Sequence, residues 1–581
     1  MPLKLATFDA TKVTAPSLAA VVTCLLFGCG GGGGGGDGGT TGGGPPPPSP
    51  TQFFTVTPSA GANGTIGPTG AQTVARGNSV AFTVTPASGF VAAVSGSCGG
   101  TLVANTYTTN TVAADCTVIA AFNAVGGFYV SVAGSDANNC VASQSPSTAK
   151  LTIQSALSCL APGSTLILRD GTYGGAANAM QNLPNGTATN PVAIRAENEG
   201  NVILTSGLET AHTSAYLTFQ GLRFHDNVGR RILGNHLKFF RNEFKGGCAN
   251  GNCVNTGVGS NDYNDTADIL FEDNWWHGAG GRYNLLVYNA NRIVIRRGVI
   301  RHDGGWSDTK GDPEAALNFY NSSNCSAQNV LILDNDIAYR EWQGAFYSVY
   351  NSDSPGATAN NSWVGNVALN SPVGGGFRLD GNGPITGAIV QDMVLWDAEF
   401  AAGFGSGASE IAITLNRITA GTSRRPSAGD GFVQYARSFA GSVNNAIITR
   451  VVNEQVGVPL TFFDSFNTSS PTAGAGHVNF SPFSNGLVYL TRIEAGSALK
   501  TAGSGGGQIG AQIVNRIGTA GTFQGENGWN TETGTALWPY PNESRIKKEM
   551  CADPLVTRGF CSDTSLTRYI MNYLGNGNPY Q

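Results

Sequence analysis

Four basic side chains occupy equivalent places in a recurring pattern: His225, Lys245, His277 and Arg301 each follow the last apolar residue of a short alternating segment. If those segments are neighbouring strands about 4.8 Å apart, the four side chains form a basic stripe on the solvent side. Like charges at that spacing repel unless an anion lies across them. The alternative is that they are ordinary surface cations, each partnered by Glu243, Asp226 or Glu272. At the end of the stripe, the insertion between Ile300 and Leu317 carries His302, Asp303, Trp306, Asp308, Lys310, Asp312 and Glu314. A long loop on a regular scaffold is usually functional. Its cations, carboxylates and indole suit a sugar, with Arg282, Arg340 and Trp342 as further walls. His225, Arg282, His302, Trp306, Arg340 and Trp342 are the expected substrate-binding residues, and Asp308, Asp312 and Glu314 supply oxygens suited to calcium. In β-elimination from a uronic acid, a base removes the proton beside a neutralised carboxylate, and a second group protonates the leaving oxygen. Arg301, Lys310, Lys245 and His277 are the expected catalytic residues for it.

These residues need elements that hold them in register. Such elements are legible as Leu217, Phe219, Leu222, Phe224; Leu237, Phe239, Asn242, Phe244; Ile269, Phe271, Asn274, Trp276; and Ile293, Ile295, Gly298, Ile300. Further copies are Val330, Ile332, Asn335, Ile337 and Ile411, Ile413, Asn416, Ile418. Period-two alternation makes each copy a strand with one buried face. Repetition at uneven intervals marks a solenoid whose turns carry insertions, here an all-β parallel β-helix. The column Leu217, Leu237, Ile269, Ile293 is expected inside it. Asn242, Asn274, Asn335, Asn366 and Asn416 are expected to stack as a ladder satisfying backbone groups, and Tyr288, Tyr320 and Tyr350 to align between coils. Composition agrees: 81 glycines and 12% charged residues in 581 fit many tight turns and exclude a helical bundle or a disordered chain. A net charge of −5 gives no global field to select nucleic acid, and a monomer is expected.

Residues 1–29 have lysines ahead of a short apolar run, as an export signal does. The run ends in Leu26-Phe27-Gly28-Cys29, which resembles the lipobox of bacterial lipoproteins. That resemblance implies a lipid on Cys29 and an outer-membrane or cell-surface location; plain secretion is the alternative. Residues 30–50, glycines and then prolines, form a tether. Residues 51–125 alternate as a small β module that resembles the bacterial internalin B-repeat through its Ala120-Ala121-Phe122 strand, and a spacer role is expected. Outside the cytoplasm, the near pairs Cys98 with Cys116, Cys140 with Cys159, Cys248 with Cys253 and Cys551 with Cys561 are expected as disulfides, leaving Cys325 over.

Residues 126–581 begin with Phe128-Tyr-Val-Ser-Val-Ala-Gly-Ser-Asp, the amphipathic Leu151-Thr-Ile-Gln-Ser-Ala-Leu, and Pro162-Gly-Ser-Thr-Leu-Ile-Leu-Arg-Asp-Gly-Thr-Tyr173. This entry resembles that of pectin-lyase-like right-handed parallel β-helix proteins. The resemblance implies a helix capping the first coil and, through the lyases of this fold, lysine or arginine as the base. Asp312-Pro313-Glu314 has no lysine close behind it, unlike the calcium pair of alginate lyases and chondroitinase B. A lyase on uronic-acid polysaccharides is the first expectation. A glycoside hydrolase with two carboxylates, or a surface glycan-binding protein without chemistry, remains open. The tail after Asn453, with helical periodicity at 537–550 and 566–575, is expected to cap the last coil.

Overall fold

The computed structural model describes residues 52–576 apart from short stretches, chiefly 247–253, 279–282, 302–314, 335–344, 352–357, 371–375, 403–410, 422–431, 435–438, 450–460, 468–482 and 553–558. From Phe53 the chain first forms two four-stranded sheets that share a core of Val56, Phe82, Val84, Tyr107 and Val118. The disulfide Cys98–Cys116 staples this module.

The rest winds as the expected right-handed parallel β-helix. Leu217, Leu237, Ile269 and Ile293 are register partners in successive coils, and all four are completely buried. Beside them Phe219, Phe239 and Phe271 stack at 4.7 and 4.8 Å, while Phe224, Phe244 and Trp276 stack at 5.2 and 5.3 Å. Parallel pairing puts like residues above one another, so one aromatic per coil becomes a continuous interior column. The helix α1 (Ile153–Leu157) buries Ile153, Ala156 and Leu157 in the core of the first coils, and Cys140–Cys159 pins its neighbourhood.

Each central coil has three strands. The first is long, as in Ala215–Gln220 and Asn235–Phe240. The chain then turns a corner through a left-handed residue, Gly221, Arg241, Asp273 or Arg297 in turn. The second strand is short: Arg223–Phe224, Glu243–Lys245, Trp275–His277 and Val299–Ile300. The third is Arg230–Ile232, Val254–Val258, Tyr283–Tyr288 and Ala315–Tyr320. In chain order, 247–253, 279–282 and 302–314 each fall between a second strand and a third.

Register corrects two expectations. Ile295 pairs with Ala327 and Ile300 with Ile332, so Val330 and Ile332 belong to a second strand, and Cys325 and Ala327 fill the first. Ile413 stands opposite Ala388 and Leu415 opposite Val390, one pleat from the expected alignment of the Ile411 copy. The asparagine ladder is correspondingly shorter. Asn242 Oδ1 accepts from Leu222 N at 2.9 Å, Asn274 Oδ1 from Asn242 N at 2.8 Å, and Asn366 Oδ1 from Val330 N at 2.7 Å. Gly298 and Val330 stand between Asn274 and Asn366 in that position. Asn416 pairs instead with Asn444, and Asn335 lies outside the described residues. Tyr288, Tyr320 and Tyr350 do align. The first two meet edge to face at 5.0 Å.

Among the described residues the tail packs along the side of the solenoid. Gly510 N donates to Asn445 O, Ala511 N to Thr419 Oγ1, Gln512 N to Asp392 Oδ1, Ile517 N to Asn329 Oδ1 and Gly521 N to Glu272 Oε2. The chain thus climbs back along the side of the solenoid against the coil order. It does so because the outward column of the second strands turns apolar: Trp275, Val299, Leu331, Val367 and Val394 form one buried cluster with Leu537, Tyr540, Ile546, Met550 and Phe560. The helices α2 (Glu543–Met550) and α3 (Leu566–Tyr573) complete this layer, and Cys551–Cys561 closes its connecting segment. The Cys248–Cys253 pairing lies outside the described residues, and Cys325 is a buried free thiol.

Candidate functional site

The outward positions of the second strands stay polar in only the first coils. Arg223 and His225 come from one coil, Glu243 and Lys245 from the next, His277 from the third, with Arg223 opposite Glu243 and Lys245 opposite His277. Alternation makes this cluster. Phe224, Phe244 and Trp276 point inward, so the residues flanking each must point out.

Glu243 is the centre. Its side chain is 0% exposed; Oε2 lies 2.6 Å from His225 Nε2, Oε1 lies 2.8 Å from His277 Nε2, and Arg223 Nε closes on Oε2. Burial opposes the charge of Glu243, but the hydrogen bonds from the two imidazoles and the guanidinium prevail and hold its carboxyl well below the usual range. An ionised carboxylate only accepts, so each imidazole presents Nε2–H to it, and His225 when neutral keeps its lone pair on Nδ1. His225 is one-fifth exposed, and burial lowers its pKa while Glu243 opposes the shift. It is therefore a neutral, oriented base near neutral pH. Lys245, half-buried, stands one coil on, between the two histidines in register.

Beneath the surface Arg230 is completely buried against Asp226 at 3.0 Å, and Nη2 donates to the carbonyls of Phe224 and Lys245, both at 2.7 Å. Asn255 Oδ1 accepts from Nη1 of the same guanidinium. The backbones that carry His225 and Lys245 are thereby tied together from inside the coil.

The expected basic stripe is not an exposed row. His277 is buried on Glu243. Arg301 is also buried: it donates to Met550 O at 2.7 Å, touches Cys561 Sγ and lies 4.9 Å from the Phe560 ring centroid. Arg301 anchors the tail and does not face a groove. The alternative of individually partnered cations holds for Glu243, whereas Asp226 pairs with Arg230 and Glu272 with Arg296 and Arg297. Sequence reasoning placed Glu243 only as a partner and passed over Arg223; the signal was there, in Arg-x-His, Glu-x-Lys and Trp-x-His falling on successive second strands. Arg282, His302, Trp306, Asp308, Lys310, Asp312, Glu314, Arg340 and Trp342 lie outside the described residues. Among the described residues, His212, Asp262 and Asp265 bring possible metal-ligand atoms within 4.8 Å, but His212 is already bonded to Asp265.

No family model and no characterised protein sequence matches the chain. Its structure is similar to that of pectate lyase Pel9A, at 14% identity over 66% of this chain and 92% of that one, with a TM-score of 0.35. A PL6 alginate lyase in complex with a trisaccharide is similar at 12% identity, 67% and 94% coverage and a TM-score of 0.41. The catalytic unit of a GH87 α-1,3-glucanase from Streptomyces thermodiastaticus strain HF3-3 is similar at 12% identity, 64% and 74% coverage and a TM-score of 0.35. At these scores the likenesses transfer no chemistry, and the site is read from its own residues.

Proposed function

We propose that the protein is an exported, polysaccharide-active enzyme that cleaves a uronic-acid glycan by β-elimination at the cluster around Glu243. The observation that carries this reading is His225: a half-buried imidazole, kept neutral by burial, aimed through Nε2 by a fully enclosed carboxylate and standing one coil from Lys245. In the proposed reaction Lys245 pairs with the uronate carboxylate, which lowers the cost of a carbanion beside it, and Nδ1 of His225 takes the proton; the electron pair left behind forms the new carbon–carbon double bond as the bond to the glycosidic oxygen breaks, and that oxygen takes a proton from water. Arg223 and His277 hold Glu243, and Glu243 holds His225. A hydrolase needs two open carboxylates across the bond. Among the described residues at this site, Glu243 is enclosed and Glu549 is bonded to Trp275 and Arg545, which favours elimination.

Export, a lipid on Cys29 with residues 30–50 as tether, a spacer role for the β module, a monomeric state and calcium held by Asp308, Asp312 and Glu314 belong to the same proposal. The test is a panel of uronate polysaccharides, such as polygalacturonate and alginate, assayed for ultraviolet absorbance from the new double bond, with and without a calcium chelator. His225→Ala is expected to lower kcat at least a hundredfold, and Lys245→Ala to lower kcat as well as raise KM. Reducing ends without absorbance would indicate hydrolysis, and retention of the polymer without product would indicate a glycan-binding protein.

A further inference from the structure

The helix α2 lies across the first coils and leaves a cavity of about 410 Å³ at the seam. That volume is within the range of about 300–1,000 Å³ typical of small-ligand sites. Its lining combines Arg223 and Asn201 from the solenoid with Arg545 and Lys548 from α2, and with the carboxylates of Glu199 and Glu549. Neither carboxylate is free to balance an incoming ligand. Glu199 accepts from Arg241 Nε and Nη2 at 2.9 Å and from Arg545 Nη1 at 3.2 Å. Glu549 accepts from Trp275 Nε1 at 3.0 Å and Arg545 Nε at 2.8 Å, and burial together with the nearby Glu243 raises its pKa. Lys548 is exposed at the rim and makes no ion pair among the described residues. Gly200 sets the closeness of the seam. A Cβ there would lie 2.6 Å from Glu549 Oε1 and 2.9 Å from Arg545 Nε, and its φ of +86° suits glycine.

We infer that this seam is a subsite for a carboxylate-bearing sugar unit: Lys548, with Arg545 behind it, meets the carboxylate, and Asn201 and Ser544 at the mouth meet hydroxyls. Arg223 is common to this cavity and to the Glu243 cluster, so the two share one residue. The inference rests on the uronate reading for the identity of the sugar, though not for the existence of the pocket. It also gives the tail a direct part in binding, because α2 supplies the cations.

The test is calorimetric titration of the purified protein with trigalacturonate and trimannuronate, with the methyl ester of trigalacturonate, maltotriose and inorganic phosphate as controls. Lys548→Glu reverses the rim charge, and Ala552→Trp fills the cavity from an exposed position. A uronate trimer is expected to bind with affinity reduced at least tenfold in K548E and abolished in A552W, with the ester and maltotriose binding weakly or not at all. Unchanged binding in K548E and A552W overturns the inference, as does equal binding of the ester or phosphate, or no binding of either uronate. Product formation that depends on His225 but ignores both rim variants would sink the subsite and leave the lyase standing. Rim-dependent binding without any product would do the reverse.

Discussion

A buried carboxylate with three donors decides the behaviour of the candidate site at the scale of single residues. Because Glu243 is enclosed, an amide in its place leaves the Arg223 guanidinium and two oriented imidazoles with one uncharged acceptor oxygen instead of two charged ones. Glu243→Gln is therefore expected to cost about 3–5 kcal/mol, read as a fall in the denaturant midpoint. The pH dependence has a definite sign. A carboxyl held below its unfolded value of about 4.3 contributes stability above that pH and loses it as pH falls toward the folded pKa. His225, also lowered, adds a second acid-side loss: the unfolded imidazole protonates first, near pH 6.5, and stability declines as pH falls from there through the folded pKa. Melting temperatures measured from pH 7 downward should therefore drop in two stages, and E243Q should remove the lower one. If the wild type and E243Q keep parallel curves below pH 4, the hub is not ionised as described. As a base, neutral His225 should keep turnover high to a more acid pH than an ordinary imidazole would.

At the scale of elements, the ladder and the tail carry the argument. Asn274 accepts from Asn242 N and donates to Phe239 O at 2.8 Å, so Asn274→Leu leaves buried backbone groups unpaired and should cost about 1–3 kcal/mol. Asn416→Leu should cost less, since that side chain is not part of this ladder. Removing the Cys551–Cys561 bridge should cost roughly 2–3 kcal/mol by loop closure, and Arg301→Ala should loosen the same segment, since its guanidinium spans Met550 O and Cys561 Sγ. Faster proteolysis within 551–561 in both variants is the measurement, and an unchanged rate would detach Arg301 from any anchoring role. The interior column from Leu217 to Ile293 was legible because large apolar residues alternate there without interruption. Legibility failed one coil later, where the small Cys325 and Ala327 fill the first strand and the larger Val330 and Ile332 mimic it from the second. The site failed for a related reason. Position alone puts His277 and Arg301 on the outer face, but an outer face covered by another layer is still interior, and Trp275, Val299 and Leu331 were the sign of that cover.

At the scale of the whole molecule, the tail and the solenoid are parts of one fold. A β-helix usually buries its hydrophobic surface inside the coils and between them. Here a second apolar column, Val299, Leu331, Val367 and Val394 with Leu333, Leu369 and Trp396 beside it, faces outward and is covered by chain that arrives only after the last coils. The strap is locked by polar groups as well: Arg296, completely buried, donates to Glu272 Oε2 at 3.0 Å, Thr519 O at 2.8 Å and Trp529 O at 2.7 Å. Deleting residues 485–581 would expose that column as one continuous patch and leave the Arg296 guanidinium without its acceptors on Thr519, Thr522 and Trp529. Monomeric proteins rarely carry apolar patches larger than a few hundred Å². The truncated chain is therefore expected to aggregate or remain in the insoluble fraction, whereas full-length Arg296→Ala should stay soluble with a lowered melting temperature. Adding residues 485–581 as a separate polypeptide during refolding should restore soluble material, because the contacts lie between surfaces and need no covalent continuity. A soluble, cooperatively folding solenoid without the tail would contradict this account: it would make the outward column tolerable to water and reduce the strap to an accessory.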